Sequence, residues 1–80
     1  MTVKRSLSVR GHRTSITLEE AFWRRLNRLA VDEGVSAAEL VARIDEARDP
    51  TVNLSSALRV HMLEEALARL EPERGPDPDS

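Results

Sequence analysis

Eighty residues can form one domain at most, and a chain this short is close to the size at which a single core is only marginally stable. With one Phe, one Trp, no Tyr and no Cys, the core has to be aliphatic, and disulfides and thiolate metal sites are excluded. The formal net charge of −2 hides an asymmetry: residues 1–13 hold Lys4, Arg5, Arg10 and Arg13 with no acid, and all 14 acids follow. An incoming polyanion meets the local potential rather than the average, so this basic start is compatible with nucleic acid despite the acidic pI.

The first pattern is SLSVR-GH-RTSIT, in which polar and apolar residues alternate on both sides of a glycine. A two-residue type II′ hairpin over Gly11 and His12 would set Val9 opposite Thr14, Leu7 opposite Ile16 and Ser8 opposite Ser15. It would also set Arg10 against Arg13, which is unfavourable. Residues 1–12 are therefore expected to be either a hairpin strand or an extended basic arm. The alternation from Arg13 to Leu18 reads as a strand that runs straight into a helix.

In that helix Phe22, Leu26, Leu29 and Ala30 share one face, with Trp23 beside them, and Arg24, Arg25, Arg28 and Asp32 lie opposite. Thr17 and Leu18 are expected at its start, Glu19 and Glu20 in its first turn, and Gly34 at its left-handed end. Ser36 with Glu39 three residues on has the spacing of a capping box. It opens a second helix with Leu40, Val41 and Ile44 on its apolar side, ended by Asp49-Pro50. A third helix is expected over 53–70, capped by Asn53 or Ser55, with Leu54, Leu58, Met62, Leu63, Leu67 and Leu70 as its stripe. The last ten residues, EPERGPDPDS, read as a disordered acidic tail over 71–80.

A lone strand leaves backbone unpaired on both sides, and intertwining with a second copy would satisfy it. The stretch TSITLEEAFWRRLNRLAVDEGVSAAELVARI, with its strand-to-helix junction and Gly34-Val35-Ser36 turn, resembles the ribbon-helix-helix superfamily of DNA-binding proteins. The flanks, KRSLSVRGHRTSITLEEAFW and NLSSALRVHMLEE, are similar to a small bacterial branch of it and extend the likeness over residues 4–65. The fold so implied is mainly α with a short N-terminal strand or hairpin. It is an intertwined homodimer with a core over 13–48 and an additional C-terminal helix.

The resemblance implies double-stranded DNA as the partner of a homodimeric transcriptional repressor or regulator. A two-stranded antiparallel ribbon would enter the major groove, with Arg13, Ser15 and Thr17 turned to the bases. Thr14, Ile16 and Leu18 would turn to the helices. Phosphates would be met by Ser36 and Ala37 at the start of the second helix, and by the charged Lys4, Arg5 and Arg10 and by His12. The dimer core would comprise Ile16, Leu18, Phe22, Trp23, Leu26, Leu40, Val41 and Ile44. A second possibility is an antitoxin-like interaction module that binds a protein through residues 54–70.

No nucleophile–base pair or Gly-rich phosphate loop is present, so no enzyme activity is expected. Two isolated histidines, His12 and His61, suggest no metal, and no cofactor is expected. The absence of a long apolar run or signal-like start suggests a cytoplasmic protein without membrane association.

Overall fold

The computed structural model describes residues 1–70; the expected acidic tail lies outside them. Two strands, β1 (Thr2–Val9) and β2 (His12–Glu19), are followed by three helices: α1 (Glu20–Glu33), α2 (Ala37–Ala47) and α3 (Leu54–Leu70). The strands pair with each other as an antiparallel hairpin. The backbone of β2 is thus satisfied along one side by β1 of its own chain.

The hairpin turn falls on Arg10 and Gly11, not on Gly11 and His12. Both residues have positive φ, 51° and 85°, the combination of a type I′ turn. The register therefore differs by two from the type II′ expectation: Val9 faces His12, Leu7 faces Thr14 and Ser6 faces Ser15. Because the shift is even, every side chain keeps its expected face. Charge accounts for the choice, since Arg13 now lies opposite Ser8 while Arg10 reaches down to Glu39 and Glu46 of α2, at 3.4 and 3.3 Å.

The strand continues to Glu19, so Thr17 and Leu18 belong to β2 and α1 starts two residues later than the apolar spacing suggested. Gly34 ends α1 at φ 71°, its N–H donating to the Val31 carbonyl while that of Val35 donates to Ala30, as expected of a left-handed cap. Ser36 caps α2 by accepting from the Glu39 N–H at 3.0 Å. Asn53 caps α3 through the Ser56 N–H, at 2.8 Å. Ser55 does not cap; its hydroxyl donates to the Thr17 carbonyl of β2 at 3.0 Å.

One core lies beneath the inner face of the hairpin. Ile16 and Leu18 from β2, Trp23, Leu26, Leu29 and Ala30 from α1, Leu40, Val41, Ala42 and Ile44 from α2, and Leu58 and Met62 from α3 are all buried. The residues expected at a dimer core are thus covered within a single chain, because β1 and α3 supply the missing walls. Phe22 is the exception and remains half-buried, with the Arg59 guanidinium 5.9 Å from its ring centre. Trp23 fastens the hairpin to α1, since its indole Nε1–H donates to the Val3 carbonyl at 2.8 Å. The far half of the α3 stripe is open: Leu63, Leu67 and Leu70 are exposed.

Candidate nucleic-acid interface

The alternation of β1 and β2 sorts their side chains onto two faces. Cross-strand pairs Val3–Leu18, Arg5–Ile16, Leu7–Thr14 and Val9–His12 take the inner face, and Thr2–Glu19, Lys4–Thr17, Ser6–Ser15 and Ser8–Arg13 the outer one. Of these eight outer residues seven are exposed, and Glu19 is half-buried. Arg13, Ser15 and Thr17 accordingly stand where the sequence pattern put them, side by side with a second row from β1. Ser6 and Ser8 were overlooked as site residues, although the alternation in KRSLSV carried them.

The outer face carries two cations, Lys4 in the second cross-strand pair from one end and Arg13 in the pair at the other. Among the described residues neither Lys4 nor Arg13 enters an ion pair, whereas nine other pairs exist. Glu19, the last residue of the outer row on β2, puts an acid on this face, and Arg59 of α3 holds it through Nε at 2.9 Å and Nη2 at 3.5 Å. Its own backbone N–H, and then the Arg59 guanidinium, keep the Glu19 carboxyl below the ordinary glutamate value. A carboxylate with a depressed pKa contributes stability above its unfolded value of about 4.5 and loses it as pH falls through the lower folded value. The melting temperature is therefore expected to fall between pH 6 and pH 3, and to fall less in Glu19→Gln, which a thermal melt followed by circular dichroism measures.

The remaining expected phosphate contacts separate. Arg5 lies on the inner parity and places its guanidinium 5.2 Å from the Trp23 ring centre, an exposed cation–π contact at the side of the sheet. His12 is exposed beside the turn. Arg10 is gripped by the two α2 carboxylates, so it serves to hold the hairpin tip against the body. At the start of α2 Ser36 is exposed and Ala37 is half-buried, and Glu39 in the same first turn directs its carboxylate to Arg10 and Arg43. That carboxylate weakens the attraction of this helix end for a phosphate. The sheet face is the stronger candidate.

Strand axes about 5 Å apart make a ribbon narrow enough to enter a major groove about 12 Å wide. Arg13 has the planar fork that donates two hydrogen bonds to a guanine edge, and the hydroxyls donate to or accept from any base. Among the described residues no group of three or more His, Asp or Glu could hold a metal ion, and no helix is long and apolar enough to cross a membrane.

Residues 2–66 match the family model described as "Ribbon-helix-helix domain". The fold is similar to that of an uncharacterized protein from Bordetella pertussis Tohama I, with a TM-score of 0.76 and 31% sequence identity over 96% of this chain. The match spans 65% of that protein's length. Among curated proteins none matches the sequence.

Proposed function

Because the chain belongs to the ribbon-helix-helix family, which generally binds DNA, we propose that it is a sequence-specific DNA-binding regulator of transcription in the bacterial cytoplasm. It acts as a homodimer, and the outer face of β1 and β2 enters the major groove. Arg13 reads a guanine, Ser15 and Thr17 with Ser6 and Ser8 fill the groove floor, and Lys4 meets a flanking phosphate. The observation that carries this reading is the outer face itself: seven exposed side chains, all hydroxyl or cationic, and one carboxylate, Glu19, that is paired with Arg59.

Short hydroxyls discriminate poorly between bases, so direct reading concentrates on Arg13, and the local shape of the duplex supplies the rest. The test is footprinting and fluorescence anisotropy on duplexes that include the DNA upstream of the protein's own gene. If Lys4 of each copy neutralises one phosphate, log affinity falls with log salt with a slope of about −2. Absence of binding to every duplex at low salt overturns the reading.

A further inference from the structure

Helices α1 and α3 leave an open slot of about 390 Å³ between them, within the size range of small-molecule sites. Its walls are apolar, with Ala21 and Phe22 contributed by α1 and Met62 and Leu63 by α3. The charged groups of its lining are two arginines, Arg25 and Arg59, and no acid. The larger groove between α2 and α3 differs, with Glu33, Asp49 and Glu64 around it. Glu19 balances Arg59 from the sheet side, through Nε and Nη2. Arg25 enters no ion pair among the described residues. Its Nε is buried without a hydrogen-bond partner, which leaves the terminal Nη pair to meet a ligand. Arg25 is thus the uncompensated charge of the slot.

We propose that this slot binds a small carboxylate with a hydrocarbon body, and that the bound anion weakens the hold on DNA. The second half rests on the DNA-binding reading above, and the first stands on the slot alone. The planar fork of Arg25 donates two parallel hydrogen bonds, which suits a carboxylate. Phe22, Met62 and Leu63 cover the hydrocarbon. The lining offers no hydroxyl, no amide and no second unpaired cation, so it matches a single charge. A phosphate dianion would find too few donors there.

Arg59 connects the slot to the sheet. It lies over the Phe22 ring and bonds the Glu19 carboxylate, so one guanidinium serves both the slot and the end of the outer face. A second carboxylate in the slot divides the charge of Arg59 between two anions. The Glu19 charge is then less compensated. Glu19 is the diagonal neighbour of Lys4, because Lys4 pairs with Thr17 and Thr2 with Glu19. Such a diagonal spans about 7–8 Å, no more than the Debye length at physiological salt, so Lys4 feels the change. Lys4 then attracts a phosphate less strongly. Anion and DNA oppose each other, and by linkage each weakens the other by the same factor.

Calorimetry of the full chain with sodium decanoate tests the site, with sodium acetate and decyltrimethylammonium as controls. Decanoate is expected to bind saturably, one per chain, and the controls are not. Arg25→Gln is expected to weaken it at least about tenfold, since a charged hydrogen-bond partner is lost. Ala21→Trp fills the slot from an exposed position, so it should abolish binding with helical content by circular dichroism unchanged. Saturating decanoate is expected to lower affinity for the footprinted duplex about fivefold or more, and acetate at the same concentration is not. Glu19→Gln should still bind decanoate but lose that effect. No saturable binding of decanoate, equal binding of decyltrimethylammonium, or binding unaltered in both Arg25→Gln and Ala21→Trp each overturns the proposal. So does sedimentation in which decanoate or Ala21→Trp turns a dimer into monomers, which would make the slot a seam between subunits. Saturable binding that leaves duplex affinity unchanged refutes the regulatory half. A chain that takes up decanoate yet binds no duplex would sink the DNA reading and leave the slot standing.

Discussion

Trp23→Ala is expected to unfold at a much lower temperature and urea concentration than the wild type. The indole is 2% exposed and is the one large aromatic group in the core. It also ties β1 to α1 through the Val3 carbonyl. Truncating a buried Trp costs about 3–5 kcal/mol. A folded unit of this size has about 4–10 kcal/mol in total, so the loss takes between about a third and all of it. Trp23→Phe keeps most of the apolar volume and loses one hydrogen bond, worth about 0.5–1.5 kcal/mol, so it should fold with a lowered urea midpoint. The comparison separates the ring from its N–H. Should Trp23→Ala melt close to the wild type, the hairpin would not be docked through this residue.

Arg13→Ala is expected to weaken binding to the preferred duplex by about 5–150-fold per half-site, the equivalent of 1–3 kcal/mol. It should also make the protein indifferent to the base pair that the guanidinium reads. Lys4→Ala should behave differently: it lowers affinity for all duplexes alike and reduces the salt slope by about one per copy. Anisotropy titrations at several salt concentrations, run on the footprinted site and on single-base variants, distinguish these two signatures. Equal losses on all sequences for Arg13→Ala would make this residue another phosphate contact and move sequence reading elsewhere.

Much of this architecture could be read from local chemistry. Alternation gave the faces of β2, Gly34 and Ser36 gave the boundary between α1 and α2, and the Asp49-Pro50 step gave the end of α2. These signals act over a few residues, where sequence is most informative. The hairpin register was not readable in that way. Arginine is an unusual residue at φ 51°, and the turn is supported by Glu39 and Glu46, which lie 29 and 36 positions further on. The late start of α1 has a similar origin: Glu19 looks like a first-turn acid, but its pairing with Thr2 and its bond to Arg59 hold it in the strand.

The candidate site divides along the same line. Arg13, Ser15 and Thr17 follow from parity alone, and parity survives a shift of two. Arg5 and Arg10 were grouped with Lys4 because all three are cations near the start of the chain. Their surroundings separate them: one sits over an indole, one is clasped by two carboxylates, and Lys4 alone of the three stands on the exposed sheet face. Charge counting cannot see that difference, since it depends on which residues the fold brings beneath each side chain.

A hairpin completed inside one polypeptide has a consequence for how such a protein diversifies. Where two subunits share a sheet, any change in how they join disturbs the reading head as well. Here both strands of the hairpin belong to one polypeptide, so a change on β1 can be met by a compensating change opposite it on β2 with no adjustment in a partner.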